Sequence, residues 1–541
     1  MLLLLIGITF LFLTVNISLA DNDYMHPSVI VCVVFLLYET VCLAVRNTYA
    51  IEFHAQTVMV VTCMLALFTA VTGILNYKRK KSASNLYVPA QKPEIIRVPV
   101  WIVAVLILLQ LVTILFFIRY IRAIGAAWQD KINEVAAGTA YAIGRFGGDF
   151  SGKAVLEDYV SSYVGYSVHD IVRDSAGNIT ADVDCIGQIF MGVDGTVTAP
   201  YVDRSIGSLI NLYDTMTKFW TGIFNSLSVP VPFLYRVLNP VCSAAAYMLL
   251  YVEVNNFVAA KKLNILNLAS VFLMCILIVL NGSRSPLFRV FTMAVILLYV
   301  FNFRKHPAVR GSIKTLFRVA IALAGLAVMM FVALRVMGRA GNMVKLTEYL
   351  FTYMGAPLVN LDNFIAGNDI GLFRGCAEAN GTSALFGAQT FRGLYNYAGK
   401  IFNIEKFGYD GISFFAFSNN GIEIGNVYTT LYYPIYDFGF IGVLPVISII
   451  AFYYVGTYRK CIFRPGRNVI DFRLFIYSYL FNDLIMLAFS NRFFETVLDA
   501  PFLKMLLMSF IYDVFIFEHG LKTQRINIKL SRRTGGQIER A

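Results

Sequence analysis

Apolar runs of about 20 residues recur along most of this chain, and they constrain its fold more than any other feature. Each run is long enough to cross the hydrocarbon core of a bilayer as a helix. Mean hydropathy is +0.65, and charged residues make up only 14% of the chain. A soluble globular protein carries roughly 25% charged residues. The sequence therefore predicts an all-α polytopic membrane protein.

About eleven runs qualify as membrane spans, and their boundaries are set by where the apolar pattern stops. The first run also resembles a signal peptide, but it lacks a positive N-terminal region and is followed by the acidic stretch DND. We expect it to be retained as a helix. The predicted spans lie near 1–20, 28–45, 56–76, 100–120, 234–256, 264–281, 286–303, 315–335, 427–456, 470–490 and 500–518.

The net charge of +12 is gathered in short basic segments beside the spans, which argues against nucleic acid as a partner. Basic residues that flank spans are held on the cytoplasmic side. These segments are KRKK at 78–81, KK at 261–262, RKHPAVRGSIK at 304–314 and the tail. If they lie inside, alternation of the spans places the N-terminus and two long connections outside.

The resulting organisation has six parts. The first long connection is acidic, with twelve Asp or Glu against six Lys or Arg over 124–220. The second is rich in Gly, Asn, Phe and Tyr, a composition typical of interfacial helices. Long ordered loops are often functional. The parts are helices 1–4 at 1–120, a first outer loop at 121–233, helices 5–8 at 234–335, a large outer loop at 336–426, helices 9–11 at 427–518 and a basic cytoplasmic tail at 519–541.

Two features of the residues leave alternatives open. Cys185 and Cys376 lie one in each outer loop, where an oxidising compartment allows a disulfide, although two unpaired thiols fit the sequence equally well. Four charged residues fall inside spans: Glu39, Glu253, Arg289 and Asp483. Pairing between buried helices is the expected explanation, and a proton or ion pathway is the alternative.

The turn NGSRSPLFR at 281–289 places Arg284 at the outer surface, between two spans. A guanidinium offers a fork of donors that suits phosphate oxygens, although a single interfacial arginine also snorkels to lipid headgroups. Further arginines are predicted outside, against the usual inside bias. Together they indicate an anionic ligand such as a lipid diphosphate. They are Arg335, Arg339, Arg374, Arg392 and Arg492.

Common catalytic signatures are missing from the sequence, including a P-loop, a GxSxG elbow, an HExxH motif and paired CxxC motifs. The five histidines all lie outside 336–426. We therefore expect neither a transition-metal site nor a histidine base within that loop.

Several short motifs, taken in order, resemble the Wzy-type oligosaccharide repeat-unit polymerases of bacterial O-antigen and capsule assembly. The most specific is GNVYTTLYYPIYDFGFIGVL, which is similar to the segment that leads from the family's large outer loop back into the membrane. The others are DNDYMHPS at 21–28, GSRSPLF at 282–288, LTEYLFTYMGAPLVNLDNFI at 346–365 and FGAQTFRGLY at 386–395. One departure is the first outer loop, which is longer than is usual in the family.

The resemblance implies a GT-C-like fold and a metal-independent glycosyltransferase of the bacterial inner membrane, with its active site facing the periplasm. The donor and acceptor would be undecaprenyl-pyrophosphate-linked oligosaccharides, and the product an O-antigen of lipopolysaccharide or a capsule. No cofactor is implied, and a separate chain-length regulator protein is the expected partner. Related O-antigen ligases use a histidine in the large outer loop, which this chain lacks there.

The chemistry then suggests roles for individual residues. Cations that face the leaving diphosphate stabilise charge that grows as the sugar departs; the candidates are Arg284, Arg339, Arg374 and Arg392. The acceptor hydroxyl needs a base, for which Glu423 and Asp437 are the candidates. Asp437 has an alternative role in fixing the turn before Gly439. Asn426, Tyr428, Thr429 and Tyr432 are candidate sugar contacts.

A lipid-linked oligosaccharide flippase is the main alternative from another functional class. It would need a polar path through the bundle and helices broken at mid-membrane. Here the polar residues concentrate outside, and together with the resemblance this favours an enzyme, whereas composition and topology alone leave the two functions nearly even. An O-antigen ligase is the third possibility.

Overall fold

The computed structural model describes fifteen segments of the chain and is almost entirely helical within them. Its helices pack against one another, and the strands among the described residues form small two-stranded sheets. The described residues are 1–82, 93–146, 171–173, 179–181, 190–191, 197–198, 202, 204–218, 224–225, 227–282, 285–306, 351–376, 387–402, 416–463 and 469–518.

Seven described helices are long and apolar enough to cross a membrane, so the chain is an all-α, multi-pass membrane protein. This part of the fold prediction is confirmed, whereas the count of eleven spans stays a prediction. The helices of the N-terminal half are α1 (Leu2–Leu19), α2 (Pro27–Ala44), α3 (Ala55–Ser82), α4 (Val100–Phe146), α5 (Ile206–Lys218), α6 (Phe233–Ala260), α7 (Ile265–Leu280) and α8 (Ser285–Lys305).

The C-terminal half alternates short helices with longer ones. A π-helical turn at Phe351–Gly355 leads into the first of them, and 3-10 turns at Phe440–Gly442 and Met486–Ala488 flank α12 and α13. The helices are α9 (Ala356–Gly367), α10 (Arg392–Phe402), α11 (Tyr432–Phe438), α12 (Val443–Phe463), α13 (Phe472–Ile485), α14 (Arg492–Val497) and α15 (Ala500–Tyr512).

Three two-stranded antiparallel sheets lie outside the helices. Strands β1 (Ile171–Arg173) and β2 (Ile179–Ala181) pair in one sheet, and β3 (Phe190–Met191) and β4 (Val197–Thr198) pair in another. Strands β5 (Ala416–Phe417) and β6 (Glu423–Gly425) pair with an irregular register, Ala416 opposite Gly425 and Phe417 opposite Glu423.

Several boundaries differ from those expected. The predicted span 427–456 contains the short helix α11, and the membrane helix begins only at Val443. Gly439, with φ of 73°, ends α11 in the left-handed region. Helix α4 continues to Phe146 over 47 residues, well beyond the expected end at 120. The predicted span 315–335 lies outside the described residues.

Helix α12 joins the two ends of the bundle, which we call the Asp437 end and the Asp471 end after the residues beside it. At the Asp471 end, Arg304 donates to the carboxylate of Asp471 at 2.6 Å. Asp23 accepts hydrogen bonds from the hydroxyls of Tyr299, at 2.6 Å, and Tyr458, at 2.8 Å. The motif DNDYMHPS therefore has a packing role at this end, away from the Asp437 end.

The four charged side chains inside the helices have local partners. Arg289 pairs with Asp483 at 2.9 Å, which confirms the expected pairing between buried helices for these two. Glu39 accepts a hydrogen bond from Thr9 at 2.8 Å. Glu253 accepts one from the backbone of Asn264 at 2.8 Å, at the start of α7.

Candidate functional site

Asn491, at the Asp437 end, connects three segments that are distant in sequence. This fully buried residue donates its side-chain amide to the carbonyl oxygen of Thr390 at 3.3 Å. It accepts from the hydroxyl of Thr430, also at 3.3 Å. The backbone nitrogen of Thr430 donates to the carbonyl of Leu487 at 3.0 Å. We call Asn491, Thr390, Thr430 and Asp437 the Asn491 hub.

Asp437 joins the hub through the turn that precedes α10. Its carboxylate accepts from the backbone nitrogen of Thr390 at 2.7 Å, from the Thr390 hydroxyl at 2.6 Å and from the nitrogen of Gln389 at 3.4 Å. Burial raises the pKa of Asp437, while these hydrogen bonds oppose the rise because they favour the charged form. Because both carboxylate oxygens are occupied, this geometry favours the structural role, with the donors coming from residues 389–390.

Arg392 begins α10, two residues after Thr390. Its helix lies directly against the end of α14, because a Cβ at Gly393 would collide with the carbonyl oxygen of Leu498. The guanidinium of Arg392 is close enough to Glu495 to lower the pKa of that carboxyl. The hub therefore places this predicted diphosphate ligand beside α14.

Glu495 is a neighbour of Arg392 that the sequence analysis did not single out. Its carboxylate accepts from Arg492 at 3.2 Å, and the side chain keeps 29% of its surface exposed. Burial raises the pKa of Glu495, and the guanidiniums of Arg492 and Arg392 counter part of that rise. The spacing Arg-x-x-Glu in NRFFE, which places both side chains on one helix face, was the available signal.

Arg374 lies in a turn whose backbone contacts the end of α11. Its side chain is exposed, and its carbonyl accepts from Gly371 at 2.9 Å within a tight turn. The next residue, Gly375, lies so close to the carbonyl oxygen of Tyr436 that no Cβ fits. Arg374 and Arg392 thus lie in segments that meet residues 436–439, near the end of α11.

Some of the predicted site residues fall in parts of the chain that the structure does not describe. Arg284, Arg339 and Cys185 lie outside the described residues, so the disulfide with the partly exposed Cys376 stays a prediction. The backbone that flanks Arg284 lies at the Asp437 end, because Arg289 in the next turn of α8 donates to Thr496 of α14 at 3.1 Å. For Glu423 the structure describes only the backbone, in β6.

The predicted sugar contacts divide into two groups. Thr429 is fully buried and its hydroxyl accepts from the backbone of Leu431 at 3.3 Å, at the start of α11. Tyr432 is buried against Phe364, with 4.5 Å between ring centroids. This burial does not favour direct sugar contacts by either residue. Asn426 and Tyr428 remain half-buried.

One histidine reaches the second outer loop from elsewhere in the chain. His54 lies in the short connection between α2 and α3, and its imidazole is held by Asp362 of α9 at 2.8 Å. Residues 336–426 contain no histidine, but this contact brings His54 to Asp362 within that range. Within the described segments, no group of three His, Cys, Asp or Glu residues is placed to hold a metal ion.

Comparison with known proteins adds no relative. No family model matches the chain, and neither the curated proteins nor the solved structures contain a match.

Proposed function

We propose that this chain is a glycosyltransferase that polymerises oligosaccharide repeat units linked to a lipid diphosphate. The observation that carries the proposal is the placement of Arg374 and Arg392 in segments that meet beside residues 436–439. Asp437 and Gly375, rather than sequence proximity, bring these segments together. The resemblance to Wzy-type polymerases supplies the reaction type.

Arginines at the Asp437 end can stabilise the negative charge of a leaving diphosphate. Cleavage of the bond from the anomeric carbon to phosphate oxygen leaves a negative charge, which a guanidinium stabilises through paired N–H donors. Preorganised donors in a partly dehydrated site act more strongly on the transition state than on the ground state. In this proposal Arg284 and Arg339 complete the set on the basis of sequence alone.

The distribution of basic residues supports an outward-facing site. Lys305 donates to the carbonyl of Val258 at 2.6 Å, and Arg459 to the carbonyl of Leu75, so basic residues of α8 and α12 lie at the Asp471 end. By the positive-inside rule that end is cytoplasmic, and the Asp437 end faces the periplasm of a bacterial inner membrane.

The polar groups inside the described helices give less support to a transport function. A flippase needs a continuous polar route, whereas Glu39, Glu253 and the Arg289–Asp483 pair are separate groups whose hydrogen bonds are local. By contrast, the segments that carry Arg374 and Arg392 meet at one end of the bundle, the Asp437 end.

Reconstitution tests the function directly. We expect the purified chain in liposomes to convert undecaprenyl-diphosphate-linked repeat units, extracted from a host strain deleted for this gene, into a ladder of longer products on gels. Arg392→Ala and Arg284→Ala should shorten or remove the ladder, and the exposed Arg236→Ala provides a control. Unchanged repeat units with the wild-type chain would reject polymerase activity.

A further inference from the structure

Glu495 combines a fixed position with an accessible carboxylate. Its backbone nitrogen donates to the carbonyl oxygen of Asn491 at 3.3 Å, which places it one helical turn from the hub. One of its carboxylate oxygens accepts from Arg492 at 3.2 Å, and this is the hydrogen bond that the structure gives the carboxylate among the described residues. The side chain keeps 29% of its surface exposed, so the second carboxylate oxygen can accept a further hydrogen bond.

Two other carboxylates at this end, those of Asp437 and Asp362, are less suited to accept a proton. Asp437 has both oxygens engaged by Gln389 and Thr390. Asp362 is fully buried and accepts from His54 through both oxygens. Among these three carboxylates, Glu495 is the one that keeps an oxygen available and lies beside a predicted diphosphate ligand.

We propose that Glu495 is a catalytic residue, the general base that accepts the proton of the acceptor hydroxyl, and that Arg492 is its positioning residue. This inference rests on the proposed function. As the acceptor oxygen bonds to the anomeric carbon of the donor, its proton moves to the Glu495 carboxylate. The bond from that carbon to the phosphate oxygen breaks, and its electron pair leaves with the lipid diphosphate. The protonated carboxyl then returns its proton to water.

The charges around Glu495 link its basicity to donor binding. Arg492 of α14 and Arg392 of α10 lower its proton affinity, whereas Asp483 of α13 and Asp499 after α14 raise it. A diphosphate bound at Arg392 partly cancels that positive charge. Glu495 therefore becomes a stronger base when the donor is present, which couples proton transfer to the loaded site.

The test compares Glu495→Gln with Glu52→Gln, a substitution of an exposed glutamate at the same end. Loss of a general base lowers the rate by about 10²–10⁴-fold. We expect this loss in extension by Glu495→Gln, with undecaprenyl diphosphate binding and the unfolding temperature close to those of the wild type. Formate should restore part of the activity of Glu495→Ala by replacing the missing carboxylate.

A pH profile tests the role of Arg492. Because burial raises the pKa of Glu495, extension by the wild type should fall on the acidic side at a pH above the ordinary glutamate value of about 4.3. Arg492→Gln removes a guanidinium that lowers this pKa, so the acidic limb should move to higher pH. A purely structural arginine would lower the rate without moving the limb.

The outcomes separate this inference from the proposed function. If the wild type extends repeat units and Glu495→Gln extends them at a similar rate, Glu495 is not the base. A second outcome is that Glu495→Gln loses both extension and undecaprenyl diphosphate binding, with no rescue of Glu495→Ala by formate. That result would overturn the inference and show that Glu495 has a packing role. Failure of the wild type to extend any repeat unit would instead refute the polymerase.

Discussion

The carboxylate of Asp362 holds His54 by two hydrogen bonds of 2.8 Å, one from the backbone nitrogen and one from Nδ1. The two residues are 308 positions apart in the sequence. Asp362 is fully buried in α9, whereas 54% of the His54 side chain is exposed. The pair therefore holds the α2–α3 connection against α9. Loss of the aspartate should lower the stability of the protein more than loss of the histidine.

Substitutions at this pair should have unequal effects. Asp362→Ala removes the acceptor of both hydrogen bonds, and the part-buried backbone nitrogen of His54 then lacks its partner, which costs up to about 1–3 kcal/mol. His54→Ala removes one donor and leaves the backbone bond in place, so its effect should be smaller. Thermal unfolding of the purified proteins in detergent measures both. Equal losses would show that the imidazole contributes most of the tether.

The buried pair of Arg289 and Asp483 predicts a non-additive response. Arg289→Met leaves the Asp483 carboxylate buried without its cation, which costs about 3–5 kcal/mol. The double variant Arg289→Met with Asp483→Leu should regain much of that stability, because it buries no lone charge. The yield of folded protein and the unfolding temperature provide the readout. Additive losses in the double variant would contradict this view of the pair.

Close packing of α10 on α14 gives a third prediction. Gly393→Ala introduces a methyl group that collides with the carbonyl oxygen of Leu498, so the helices must separate. Such overpacking costs about 1–3 kcal/mol, and we expect it to reduce extension by moving Arg392 away from Glu495. Gly367→Ala is the matched control, because no atom lies within 4 Å of the added Cβ. Wild-type extension by Gly393→Ala would show that this contact is dispensable.

Asp437→Asn distinguishes positioning from catalysis at the hub. The substitution places an amide group opposite the donors of Thr390 and should lower stability by about 1–3 kcal/mol. Extension should fall without a change in the acidic limb of its pH profile, since Asp437 is not the base in our proposal. Thermal unfolding and the pH profile are measured together. Lost extension at unchanged stability, with a displaced limb, would restore Asp437 as the base.

The seven apolar helices that are long enough to cross a membrane were predictable, because length and hydropathy alone specify them. The prediction was wrong at the start of the expected span 427–456: Gly439 ends α11, and the long apolar helix begins only after this break. The extension of α4 was also missed, because polar residues beyond 120 resemble a loop unless they continue a helix.

The site was less predictable, since its contacts join distant positions. Thr390 reaches Asp437 over 47 residues and Asn491 over 101. No local pattern reports such pairings. The sequence identified Arg374 and Arg392 as arginines expected on the outer side of the membrane. The proposed role of Glu495 depends on the packing of α10 against α14, which only the folded chain reveals.

The Asn491 hub also determines when this end of the protein can be completed during synthesis. Thr430 precedes Asn491 by 61 residues, which a ribosome translates in about 3–12 s. Until Asn491 has been synthesised, the Thr390 carbonyl and the Thr430 hydroxyl lack their common partner. Chains truncated before residue 491 should therefore be cut more readily at this end by added protease than the full chain is.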